Sequence, residues 1–131
     1  MLFHYTIETA RTVEETVKAC EESCQRRKLS TVGHLNIPLK LLEKGINLPQ
    51  QYRILEVYHP DVAKKVLSYN QVGGLFLTYK IAVYKDRETG KTTVGLVRPT
   101  VLMELVDDDR LVAMVQDVEA ALLAVLDEVK G

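Results

Sequence analysis

Two β-forming runs joined by a short turn place the strongest constraint on what this sequence can fold into. The first run, residues 73–86, reads GGLFLTYKIAVYKD, and the second, residues 91–99, reads KTTVGLVRP, with RETG between them. β-branched and aromatic residues favour strands, and a short link ending in glycine favours an antiparallel hairpin. The two runs therefore predict a hairpin inside an antiparallel sheet.

The first run of this hairpin carries apolar residues on both of its sides. Successive side chains of a strand point to opposite faces of the sheet. One side then holds Leu75, Leu77, Tyr79, Ile81 and Val83. The other side holds Phe76, Thr78, Lys80, Ala82 and Tyr84. A face that met only water would be mostly polar, so we expect a ligand or a partner to cover the second face.

The second face also predicts a homodimer. A domain of this size has too few helices to cover both faces, and a two-fold pairing is the commonest way to bury an exposed apolar patch. Phe76, Ala82 and Tyr84 are the candidate interface residues, with Lys80 lying along the patch by its aliphatic stem. The alternative is a monomer in which residues 38–45 or the helix after Pro60 cover this face.

The remaining segments predict strands and helices in alternation. The strands are FHYTIE, STVGHLNI and YRILEVYH. One helix opens at a capping box formed by Thr12 and Glu15, two others are PLKLLEKG and PDVAKKVLSYN, and a long one covers residues 107–131. The order β-α-β-α-β-α-β-β-α predicts a single α+β domain, residues 1–131, whose antiparallel sheet carries its helices mainly on one face.

Composition excludes some classes of partner. The net charge is −1, from 17 basic and 18 acidic residues, so there is no basic face of the kind that binds nucleic acid. No apolar run approaches the roughly 20 residues that span a bilayer, and the first residues do not read as a signal peptide. Cys20 and Cys24 lie one turn apart on the apolar side of a helix, which predicts buried thiols and a reducing, cytoplasmic location.

Residues with catalytic or metal-binding chemistry form no known motif. His59 stands between a strand and a helix, but a general base needs an orienting carboxylate, and Glu56 points to the opposite face. His4, His34 and His59 lie on three different predicted strands without the short spacing of zinc ligands. We therefore predict no catalytic residues, no metal and no cofactor.

Six segments resemble one protein family, the domain of unknown function 302 family. They read FHYTIET, VEETVKACEE, LLEKGI, ILEVYHPDVAKKVL, GGLFLTYKIAVYKD and VGLVRPTVLMELV, and they follow one another over nearly the whole chain. The resemblance implies an antiparallel α+β fold of the TATA-binding-protein type and dimers in some members. It implies no biochemical activity.

The sequence departs from that family at two places. The family often has cysteine-asparagine-proline where this chain has Tyr58, His59 and Pro60. It often has proline-cysteine where this chain has Thr78 and Tyr79. A thiol or metal role at the family's cysteines therefore does not transfer to this chain.

Three functional hypotheses follow from the sequence, and two of them are the main ones. The first is a non-catalytic cytoplasmic domain that self-associates and binds a small ligand or a protein through its sheet. The alternative is an enzyme with a small cleft lined by Tyr58, His59, Tyr79 and Lys80, in which a buried lysine would have a lowered pKa. The two hypotheses differ in whether these four side chains converge. Nucleic-acid binding by analogy with the TATA-binding fold is a weaker third hypothesis, because fold does not imply function.

Overall fold

The computed structural model describes residues 2–131. Five strands of this part of the chain form one antiparallel sheet. Its strands are β1 (His4–Thr9), β2 (Ser30–Asn36), β3 (Tyr52–Tyr58), β4 (Tyr79–Lys85) and β5 (Thr92–Val97). The spatial order is β1-β5-β4-β3-β2, so the β4–β5 hairpin lies near the centre of the sheet. The predicted hairpin and the α+β class with an antiparallel sheet are confirmed.

The helices are α1 (Val13–Arg26), α2 (Ile37–Leu42), α3 (Pro60–Tyr69), α4 (Pro99–Glu104), α5 (Asp109–Met114) and α6 (Gln116–Lys130). A 3-10 helix covers Gln71–Phe76. Helices α1 and α6 pack against each other and against the strands. The predicted capping box starts α1: the Glu15 N–H donates to Thr12 Oγ1 at 3.1 Å, and the Thr12 N–H donates to Glu15 Oε1 at 3.0 Å.

Two apolar clusters hold these elements together. The main cluster joins one face of the sheet to α1 and α6, and its strand residues include Leu55, Ile81 and Val94, each with no exposed surface. The second cluster joins α3, α4 and α5 through Val66, Met103, Leu111 and Val115, which are also fully buried. One face of the sheet is thus a closed core.

Both cysteines belong to the main cluster, as predicted from their spacing. Cys20 and Cys24 have no exposed surface and are not joined in a disulfide. Burial raises the pKa of the Cys20 thiol to about 12 and that of the Cys24 thiol to about 11. Both side chains are therefore neutral thiols that pack as small apolar groups.

The predicted start of the hairpin strand is wrong. Residues 73–76 belong to the 3-10 helix, and β4 begins only at Tyr79. Close packing explains the difference, because a Cβ added to Gly73 would lie 2.6 Å from Cγ1 of Val66. Gly73 lets the backbone approach α3, so this segment packs on the second cluster instead of extending the sheet.

The single helix predicted for residues 107–131 is also wrong. Helix α5 ends at Met114, and α6 starts at Gln116. The fully buried Val115 lies between them, and its N–H bonds to the carbonyls of Val112 and Ala113 instead of continuing an α-helical pattern. Helix α4, which starts at Pro99, was not predicted. Pro99 lies in the first turn of α4. Backbone N–H groups there have no acceptor within the helix, so the missing N–H of proline breaks no hydrogen bond.

Candidate functional site

The face of the sheet opposite the main cluster, here called the open face, is the candidate functional surface. Strand alternation turns Ile81 and Val83 into the core and Lys80, Ala82 and Tyr84 outward. A groove of about 400 Å³ crosses this face. Its lining residues are Phe3, His4, Thr6, Tyr52, Ile54, Lys80, Ala82, Tyr84, Gly95, Leu96 and Val97.

Small residues form the floor of the groove. Ala82 on β4 pairs directly with Gly95 on β5, and Gly95 pairs on its other side with Thr6 on β1. A Cβ added to Gly95 would lie 3.2 Å from Oγ1 of Thr6. Because larger side chains stand on either side of this row, the backbone of β4 and β5 forms the bottom of a depression.

Aromatic side chains stand beside the floor. Tyr52 and Tyr84 are cross-strand partners whose rings are stacked, with centroids 4.9 Å apart and an interplanar angle of 6°. Phe3 and His4 meet edge to face with centroids 4.7 Å apart, and Nδ1 of His4 is 2.8 Å from Oγ1 of Thr6. Partial burial, together with Tyr52 and Asp86, raises the pKa of Tyr84, so its phenol is neutral at neutral pH.

Lys80 supplies the charge of the groove. Its Nζ lies 3.6 Å from Oε1 of Glu56, its direct cross-strand partner on β3. At this distance the ion pair lacks a short hydrogen bond. The Lys80 side chain is 64% exposed and that of Glu56 25%, and Glu56 is not among the lining residues. The groove therefore faces a cation that has free donor capacity.

The four residues of the predicted cleft do not converge. Tyr58 and Lys80 lie on the open face, but Tyr79 points into the main cluster and is 3% exposed. Burial raises the pKa of Tyr79 to about 12. His59 caps helix α3, where its Nδ1 accepts a hydrogen bond from the Val62 N–H at 3.3 Å. The cleft of the enzyme hypothesis is therefore not formed by these side chains.

The three predicted interface residues do not form one patch. Ala82 and Tyr84 lie on the open face, on the side where strand alternation placed them, and both line the groove. Phe76 lies in the 3-10 helix and packs against the second apolar cluster, so its predicted place on the open face is wrong. The reason is the same close approach of Gly73 to Val66 that delays the start of β4.

The histidines lie apart. His4 is on β1 and His34 is on β2, which are the two edge strands of the sheet, and His59 caps α3. Four inter-strand spacings separate the edges, which amounts to about 19 Å. Across residues 2–131, no three His, Cys, Asp or Glu side chains lie together in a way that could hold a metal ion.

The sequence prediction missed several residues of the groove. Phe3, Thr6, Tyr52, Ile54 and Gly95 line it beside the predicted residues. An isolated glycine inside a strand marks a weak point or a close approach, and Gly95 between Val94 and Leu96 gave that signal. The Tyr52–Tyr84 stack depends on the register between β3 and β4, which no local pattern shows.

In the part of the chain that the structure describes, no helix is both long enough and apolar enough to cross a membrane.

Comparisons with known proteins agree on one family. A family model described as "Domain of unknown function DUF302" matches residues 5–129. The crystal structure of an uncharacterized conserved protein DUF302 from Bacillus stearothermophilus matches with a TM-score of 0.90 and 34% sequence identity, covering 97% of this chain and 98% of that chain. A search of curated proteins found no significant match.

Proposed function

The chain belongs to the family of the domain of unknown function DUF302, as its sequence segments predicted, and from that premise we propose that it is a small-molecule-binding domain that uses the groove of its open face. The family description gives no activity. The proposal therefore depends on the geometry of this chain.

The pairing of Ala82 with Gly95 carries the proposal. These two residues leave the middle of the sheet almost bare, while Tyr52, Tyr84 and Ile54 stand beside it. Ligand sites in proteins are concave, mostly apolar, and about 300–1,000 Å³ in volume. The groove, at about 400 Å³, falls within that range.

Binding accounts for the groove better than catalysis does. Tyr79 is a buried neutral phenol, and Nδ1 of His59 accepts the hydrogen bond from the Val62 N–H that caps α3. Tyr79 and His59, the acid-base candidates of the predicted cleft, therefore do not line the groove. A general acid or base needs to reach the reacting atom directly or through one water molecule.

A neutral fluorescent probe tests the proposed binding function. N-phenyl-1-naphthylamine, which is apolar and uncharged, should bind the native protein with increased fluorescence. Ala82→Leu places a large side chain on the groove floor and should abolish most of this signal. Ala120→Leu adds the same side chain at an exposed position of α6 and should leave the signal unchanged. Equal fluorescence in both variants would contradict the proposal.

We also propose that the chain forms a homodimer, through α2 and the residues that follow it. Leu39, Leu42 and Ile46 are 54%, 62% and 52% exposed, and all three line a hollow of about 300 Å³. Large contiguous apolar patches on a protein surface often mark an interface. A second copy related by a two-fold axis would fill each hollow with the leucines of the other. This interface leaves the groove free.

The cytoplasm is the proposed location. The support is the pair of free cysteines, because an oxidising compartment favours disulfides.

A further inference from the structure

We propose that the groove takes a planar aromatic carboxylate, with its ring against Tyr84 and its carboxylate at Lys80. This inference rests on the proposed binding function of the groove. It follows from three features of the open face: the free side of an aromatic stack, the low floor beside it, and the position of one cation.

The stacked tyrosines leave one ring face for a ligand. In a parallel pair, each ring has one side on its partner and one side turned away. Tyr52 occupies the β3 side of Tyr84, and on the β5 side the cross-strand partner of Tyr84 is Thr93. Gly95 has no side chain and lines the groove together with Tyr84, whereas Thr93 is only 5% exposed and lies outside the lining, so the space beside Tyr84 opens toward Gly95. A flat ring fits there in offset stacking, which aromatic pairs prefer.

The floor directs the ligand along the strand. Tyr84, Ala82 and Lys80 are alternate residues of β4 and share the open face. Four residues of strand cover about 13 Å. With the reach of the lysine side chain, a ligand of about two rings with an acidic group at one end spans the distance from Tyr84 to Lys80.

The positive charge of Lys80 favours an anionic ligand. The Lys80 ammonium is exposed, and its 3.6 Å contact with Glu56 is loose. A carboxylate that accepts hydrogen bonds from this ammonium would gain a charge-assisted contact, which is stronger than a contact between neutral groups. Because Glu56 lies outside the lining of the groove, the ligand meets the positive member of the pair.

Three probes of similar size separate the parts of the proposal. Biphenyl-4-carboxylate is aromatic and anionic, biphenyl-4-carboxamide is aromatic and neutral, and bicyclohexyl-4-carboxylate is anionic without a π-system. We expect the aromatic carboxylate to bind about tenfold more tightly than either of the other probes, as measured by titration calorimetry. Each of the other probes lacks either the charge-assisted hydrogen bond or the aromatic stack, and one such contact is worth about a tenfold change in affinity.

Two variants assign the selectivity to residues. Lys80→Gln should weaken binding of the aromatic carboxylate about tenfold and leave the carboxamide unchanged. Tyr84→Leu should weaken both aromatic probes and leave bicyclohexyl-4-carboxylate unchanged. Lys65→Gln, which removes an exposed lysine of α3, is the matched control and should change nothing.

The possible failures are distinguishable. Equal affinity for the carboxylate and the carboxamide, or an equal effect of Lys80→Gln and Lys65→Gln, would overturn the proposed ligand class while N-phenyl-1-naphthylamine still bound the groove. If that neutral probe binds equally in Ala82→Leu and Ala120→Leu proteins, the binding function itself is wrong, and the ligand class fails with it.

Discussion

Ala82 and Gly95 are direct cross-strand partners near the centre of the sheet. A single methyl group, that of Ala82, stands between the backbone of this pair and the open face. On the opposite face, the neighbouring residues Ile81, Val83 and Val94 are all buried under the helices. The hairpin thus has one densely packed face and one face with a depression, and the proposed function depends on this asymmetry.

Gly73→Ala should destabilise the protein. The added methyl group would lie 2.6 Å from Cγ1 of Val66 and 3.2 Å from Cδ2 of Leu111, both of which are fully buried residues. Overpacking of this kind costs about 1–3 kcal/mol of unfolding free energy, measurable by urea denaturation. Gly74→Ala is the control, since its methyl would meet only Leu67, which is 46% exposed and can move. Equal stability of the two variants would contradict the close packing of the 3-10 helix.

Glu119 should make stability depend on pH in the acidic range. Its burial opposes ionisation, but hydrogen bonds from Thr100 and Arg98 outweigh that effect and lower the pKa of the carboxyl. The Thr100 N–H donates to Oε1 at 2.9 Å, and Arg98 Nη2 donates to Oε2 at 3.0 Å. A lowered pKa in the folded state stabilises the protein above the unfolded value of about 4.3. This stabilisation is lost as pH falls through the folded value.

The variant Glu119→Gln tests this dependence. At pH 7 it should lower the unfolding free energy by about 2 kcal/mol, because a buried charge-assisted network is broken. It should also lose less stability than the native protein between pH 5 and about pH 3. Glu104→Gln, at an exposed position of α4, is the control. An unchanged pH profile in the Glu119 variant would show that Glu119 does not contribute to it.

Cys20 and Cys24 should react slowly with a thiol reagent in the native state. Both are fully buried, and burial raises their pKa values to about 12 and about 11, so almost no thiolate is present at pH 8. Unfolding in guanidinium should make both react rapidly, which an absorbance assay with an aromatic disulfide reagent measures. Rapid labelling of the native protein would contradict the core position of α1.

The proposed dimer should depend on α2. Light scattering on the eluted peak should give the mass of two chains at micromolar concentration. Leu42→Glu should shift the peak toward one chain, because it places an unpaired charge in an apolar interface. Leu105→Glu changes a leucine that is 73% exposed, beyond the end of α4, and should leave the dimer intact. A native mass near that of one chain would exclude the dimer.

Local patterns predicted the parts of the fold that depend on neighbours in sequence. The Thr12–Glu15 capping box, the helical start at Pro60 and the alternation from Tyr79 to Lys85 all agree with the structure. Each depends on residues within a few positions of one another, where side-chain direction follows from the backbone type. The buried cysteines were predictable for the same reason.

Contacts between residues far apart in sequence determine the parts of the fold and of the groove that local patterns did not predict. The 3-10 helix at Gln71–Phe76 follows from the contact between Gly73 and Val66, and the break at Val115 follows from its burial in the second cluster. The groove depends on the register that sets Ala82 against Gly95 and Tyr84 against Tyr52. Register is fixed by tertiary packing and turn geometry. The sequence therefore predicted that the second face is apolar, but it did not predict the groove in that face.

The open face of the sheet is the proposed binding surface, and amide chemical shifts measured with biphenyl-4-carboxylate report on it residue by residue. Titration into isotopically labelled protein should move the amide signals of Tyr52, Lys80, Ala82, Tyr84 and Gly95, which lie along the groove. The signals of α1 and α6, behind the sheet, should stay in place. Shifts confined to the helices, or groove signals that do not move at millimolar ligand, would contradict binding at the open face.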